Sequence, residues 1–86
     1  MNSTQEQKTP DPFEVVAGAL SQPVGSLSAD SAMYKVHGWD SLGHLKVVLA
    51  IEKALGVSIT EAEVIDFCTM RKVVEFFDRH RGDESR

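Results

Sequence analysis

The run from Ser41 to Leu55 constrains this chain more than any other segment. It contains neither proline nor a β-branched stretch long enough to argue for a strand. Asp40 in front of it has the short acceptor side chain of an N-cap, and Gly56 behind it is the residue that most readily closes a helix. One long helix is therefore defined at both ends. At about 100° per residue, Leu45, Val47, Val48, Leu49, Ile51, Ala54 and Leu55 spread over a broad apolar arc, while Lys46 and Lys53 share a narrow polar stripe. So wide an arc predicts a central helix touched from several sides, with Leu45 and Leu49 in the core.

Three more helices are marked by their caps. Asp11-Pro12-Phe13-Glu14 offers an acceptor, a proline at the first helical position and a glutamate three after the cap. Phe13, Val16, Ala17 and Leu20 then fall at i, i+3, i+4 and i+7, and Pro23 with Gly25 ends the pattern. Thr60-Glu61-Ala62-Glu63 is a capping box that opens a short acidic helix, with Val64, Ile65 and Phe67 available to bury. Thr69 caps the last, where Met70, Val73, Val74 and Phe77 repeat the stripe. Residues 22–39 hold scattered apolar side chains broken by Ser, Gly, Asp and Pro, which predicts a long loop packing back on the bundle. No segment alternates as a strand would. The predicted fold is all-α, a small four-helix bundle with helices near 12–21, 41–55, 61–66 and 70–80 and the long loop between the first two. Residues 1–10 read as a disordered leader, 11–80 as the domain and 81–86 as a frayed tail.

At 86 residues there is room for one domain with a thin core, and a deep enzyme cleft is not expected. One cysteine makes no internal disulfide, and the N-terminus lacks the apolar run of a signal peptide, so the cytoplasm is the expected compartment. No stretch is long and apolar enough to span a membrane, and a net charge of −4 argues against nucleic acid. That charge sits in the middle of the chain. Outside it, Glu6, Asp11, Asp83 and Glu84 balance Lys8, Arg79, Arg81 and Arg86; the remaining nine acids face five bases. An acidic folded surface meets basic partners or merely keeps the chain soluble.

Catalytic readings fail on geometry. Asp40, Ser41 and His44 supply the residue types of a hydrolytic triad, but neighbours on one helix do not align nucleophile, base and acid. A nucleophile elbow needs glycine two before the serine, where this chain has Trp39. Trp39-Asp40-Ser41-Leu42 is also similar to the Gly-Asp-Ser-Leu hydrolases, yet it lacks their glycine and has no parallel sheet to complete such a site. His37, His44, His80 and Cys68 show no paired metal-ligand spacing. His37 reads as a loop residue, His80 as a residue favoured near a helix C-terminus, and His44 as facing either core or site. Cys68 reads as a small buried hydrophobe and Trp39 as an anchor for the long loop.

Ser41 stands apart. In the first helical turn its hydroxyl can project beside backbone N–H groups without helical partners, at the positive end of the helix dipole. Such a position suits a phosphate-linked modification, and it equally suits an ordinary polar first-turn serine.

Gly38-Trp39-Asp40-Ser41-Leu42, an apolar helix with Ile51-Glu52, then Leu55-Gly56-Val57, Ile59 and a short helix leading to Thr69 resemble the acyl carrier protein family from about residue 11 to 77. The resemblance implies a carrier and not an enzyme. Ser41 would receive 4′-phosphopantetheine from coenzyme A, whose terminal thiol carries an acyl or aminoacyl group as a thioester. Asp40 and Leu42 match the positions flanking that serine, which help enzymes recognise it. Implied partners are a phosphopantetheinyl transferase, a loading enzyme, and a downstream transferase or condensing enzyme, meeting a monomer. The helix after Ser41 departs from bacterial fatty-acid carriers in being neutral, Asp40 and Glu52 balancing Lys46 and Lys53, while acidity has moved to Glu61, Glu63 and Asp66. Partner contacts are accordingly expected at Trp39, Leu42 and those three acids. The motif looks more like free-standing carriers of dedicated polyketide, peptide, aminoacyl or surface-saccharide pathways. An unmodified helical interaction module is the alternative.

Overall fold

The computed structural model describes residues 10–84, with side chains as far as His80. Residues 1–9 of the expected leader and 85–86 of the expected tail lie outside the described residues. Four helices follow in order: α1 (Pro12–Leu20), α2 (Ser41–Leu55), α3 (Glu61–Asp66) and α4 (Met70–Glu84). The long first connection contains a 3-10 turn at Val24–Ser26, a feature its irregular apolar pattern did not announce. The all-α four-helix architecture is the predicted one.

Each expected cap makes its bond. The Asp11 carboxylate accepts from the Phe13 N–H at 2.8 Å, and that of Asp40 from the Gly43 N–H at 2.9 Å. Thr60 and Glu63 complete a reciprocal capping box, and the Thr69 hydroxyl accepts from the Lys72 N–H at 3.2 Å. α1 ends one residue before the predicted boundary, closed by Ser21 in the left-handed conformation (φ 57°) and not by Pro23 and Gly25. α4 continues beyond the predicted end at 80, to Glu84.

The core joins Val16, Ala17 and Leu20 of α1 to Val47 and Ile51 of α2, with Phe67, Met70, Val73, Phe76 and Phe77 closing it from the C-terminal side. Phe77 is buried as its stripe predicts. Leu45 and Leu49 are not: they are 55% and 62% exposed, and α2 turns Gly43, His44, Val47, Val48 and Ile51 inward instead. The wide apolar arc predicts contact from several sides, but the bundle covers α2 on one side only and leaves Leu45 and Leu49 on the uncovered one. Ile65 is likewise exposed, although Phe67 beside it is buried. Cys68, expected to be buried, is exposed in the link between α3 and α4.

The long loop is stitched to the start of α4. The Met33 N–H donates to the Cys68 carbonyl at 2.8 Å and the Met70 N–H to the Ser31 carbonyl at 2.9 Å, framing an isolated antiparallel bridge between Ala32 and Thr69. Leu27 and Trp39 are buried in the bundle, so the loop does pack back on it. Arg71 and Asp30 pair at 2.8 Å across the same junction, but both are exposed and such a pair contributes at most about 1 kcal/mol.

Candidate functional site

The backbone of Ser41 is placed by the way α2 begins. Asp40 occupies the extended N-cap conformation, its carboxylate taking the Gly43 N–H and its carbonyl the His44 N–H at 2.7 Å. The first turn is thereby fixed, with Ser41 as the first helical residue and its side chain exposed. The N–H groups at this end of the helix point outward with partial positive charge.

The loop before Asp40 approaches α2 through two glycines. A Cβ on Gly43 would collide with the Gly38 carbonyl oxygen and press on Leu20. Gly38 itself has φ 88°, a conformation that L side chains rarely adopt. This close approach brings the end of α1, the loop and the first turn of α2 together, leaving a groove of about 320 Å³ beside Ser41, lined by Leu20, Ser21, Gly38, Asp40, Leu42 and Lys46 among others.

Behind the site lies a buried polar relay. Trp39 Nε1 donates to His44 Nδ1 at 3.0 Å, and His44 Nε2 lies 2.7 Å from the Val64 carbonyl. An indole N–H only donates, so Nδ1 is the acceptor, and the imidazole proton sits on Nε2, donated to Val64. One side chain thus ties the loop to α3 through the first turn of α2. Between the two places open to it on sequence, His44 takes the core. The Trp39 side chain is fully buried, so its expected role as a partner contact is corrected: it holds the loop from inside.

The other expected contacts divide. Leu42 is exposed beside Ser41, and Leu45 and Leu49 continue the same face at i+3 and i+7. Glu61, Glu63 and Asp66 all lie on α3, but the Glu63 carboxylate is occupied by the Thr60 N–H at 3.0 Å. Neither acid of α2 is idle. Asp40 is the cap, and Glu52 accepts from the Ile59 N–H at 2.8 Å. Lys46 and Lys53 are both exposed on α2, along one side of the apolar stripe.

One neighbour of Ser41 was not singled out from the sequence. The hydroxyl of Tyr34 lies 2.7 Å from Ser41 Oγ, and its ring is 70% exposed. The contact spans seven residues and depends on a left-handed backbone at a non-glycine residue (φ 71°), for which the sequence gives no signal.

Ser41 is thus an open, uncharged hydroxyl at a helix start, reachable from solvent and held from one side. It suits attachment of a phosphate ester: the hydroxyl is exposed, and hydroxyl and amide donors are at hand. Among the described residues no three His, Cys, Asp or Glu side chains gather to hold a metal ion. No helix among them is long and apolar enough to cross a membrane. A family model described as the phosphopantetheine attachment site matches residues 13–77. The chain is also 27% identical over 77 residues to a protein of Rickettsia bellii (strain RML369-C) named acyl carrier protein, a match covering 90% of this chain and 86% of that protein.

Proposed function

Because the chain belongs to the phosphopantetheine attachment-site family, and so is a carrier with a covalently attached 4′-phosphopantetheine and not an enzyme, we propose that the group is joined to Ser41. There it holds an acyl or aminoacyl intermediate for presentation to partner enzymes. The observation that carries this reading is the exposed hydroxyl of Ser41 at the capped start of α2, inside Gly38-Trp39-Asp40-Ser41-Leu42 and inside the matched segment.

When bound, the group supplies a terminal thiol on which cargo is held as a thioester. This chain's own residues do the placing. Asp40 fixes the turn, Gly38 and Gly43 let the loop close on it, and the Trp39–His44 relay keeps α3 in register with the site. No general acid or base of its own is needed, because the bond-making steps belong to partner enzymes.

Leu42, with Leu45 and Leu49, is the apolar contact for those enzymes, while exposed Glu61 and Asp66, with Glu63, steer the approach. The lysines bordering the stripe disfavour partners whose docking patches are basic. They support a dedicated pathway over housekeeping fatty-acid synthesis. Cytoplasmic placement and a monomeric state belong to the same reading.

Incubation with coenzyme A and a broad-specificity phosphopantetheinyl transferase tests it. Intact mass should rise by one phosphopantetheine, peptide mapping should put it on Ser41, and Ser41→Ala should abolish the gain. No gain with several transferases would favour an unmodified interaction module.

A further inference from the structure

Tyr34 combines three properties that do not ordinarily occur together. Its backbone is left-handed, which costs a non-glycine residue about 1–2 kcal/mol; its ring is largely exposed, so burial does not hold it there; and its hydroxyl meets the hydroxyl of Ser41 at 2.7 Å. What holds it is a closed circuit. The Tyr34 N–H donates to the Trp39 carbonyl at 2.6 Å, Trp39 is anchored in the core two residues before Ser41, and the phenol returns to Ser41 Oγ.

We propose that Tyr34 is a positioning residue for the modification of Ser41: its phenol orients Ser41 Oγ in the unmodified chain and donates a hydrogen bond to the phosphodiester afterwards. The inference rests on Ser41 being the attachment residue. In the transfer, a bond forms between Ser41 Oγ and the phosphorus of the pantetheine arm while the phosphoanhydride bond of coenzyme A breaks. The serine proton passes to a base of the transferase, and adenosine 3′,5′-bisphosphate leaves with the electron pair. Before this step a neutral hydroxyl partner fixes the direction of Oγ without adding charge near an incoming anion. After it, Oγ has no proton and the phosphate oxygens only accept, so a phenol free to rotate its proton suits both states.

Tyr34→Phe keeps the ring and the backbone and removes only the hydroxyl. The transferase should modify this variant with kcat lowered about three- to tenfold and KM for the carrier within about twofold of the parent, the loss of one oriented hydrogen bond. The thermal midpoint should be unchanged, since the bond is exposed. A readout independent of rate is the phosphorus NMR resonance of the modified proteins, which should differ between parent and Tyr34→Phe. Equal kcat together with coincident phosphorus resonances would overturn the inference while leaving Ser41 intact. A parent protein that gains no phosphopantetheine, or a Ser41→Ala variant that still does, would overturn the Ser41 reading and this inference with it.

Discussion

Replacing His44 by Leu should destabilise the domain far more than the loss of one half-polar side chain implies. Leucine occupies a similar volume but neither accepts nor donates. The Trp39 Nε1–H, in a fully buried residue, would lose its acceptor, whereas the part-buried Val64 carbonyl would keep the Phe67 N–H as a donor at 3.3 Å. A buried donor left unpaired costs about 1–3 kcal/mol, and the carbonyl, still paired, adds little. The loss is about 1–3 kcal/mol, a large share of what a domain this small has, and it corresponds to a fall in Tm of roughly 4–24 °C. Urea and thermal unfolding followed by far-UV circular dichroism measure it. Gln in place of His offers one acceptor and one donor and should recover part of the loss. Trp39→Phe in the His44→Leu background removes the orphaned donor, so the double variant should be more stable than the sum of the singles. A loss below about 0.5 kcal/mol for His44→Leu, or strict additivity with Trp39→Phe, would refute the relay as a stabilising unit.

Two residues apart on α2, Ile51→Ala should cost about 2–5 kcal/mol and Leu49→Ala less than about 0.5 kcal/mol, because the first empties a buried site and the second trims an exposed one; denaturant midpoints compare them, and equal losses would show the face assignment to be wrong. In partner assays the order should reverse, with Leu49→Ala slowing loading by the cognate enzyme and its fold unchanged. Charge reversal at Glu61 and Asp66 should slow loading at low salt and matter less as salt rises, since exposed charges are screened over about 10 Å at 0.1 M. Lys46→Glu should improve exchange with fatty-acid synthase enzymes; efficient malonylation and elongation of the unaltered modified protein would contradict the dedicated-pathway reading.

The helix starts and the end of α2 were readable because caps are local. Asp40, Thr60 with Glu63, Thr69 and Gly56 act on residues one to four positions away, and each acts as its neighbours in sequence require. Which side of α2 faces inward was not readable by the same means. Its apolar residues lie nearly all round, and the choice is made by partners remote in sequence: the Gly38–Gly43 approach and the indole of Trp39, which draw a glycine and a histidine into the core and leave two leucines outside. Hydrophobicity alone ranks those four residues the other way. At the site, Ser41 was marked by its motif, whereas Tyr34 was not, because a hydroxyl pair formed through a left-handed loop residue has no periodicity to betray it.

The stitching of the long loop to the start of α4 bears on when the attachment site exists at all. The Met33 N–H and the Ser31 carbonyl find their partners in Cys68 and Met70, far along the chain, and closing so long a loop costs roughly 3 kcal/mol of chain entropy before those bonds are gained. A growing polypeptide that has emerged only through α2 has its serine but not the groups that pin the loop behind it. Pairing at this sequence separation belongs to the late, slow part of folding. Docking of α4 is thus the event that finishes the loop around Ser41, and of the four helices it is the last to be synthesised.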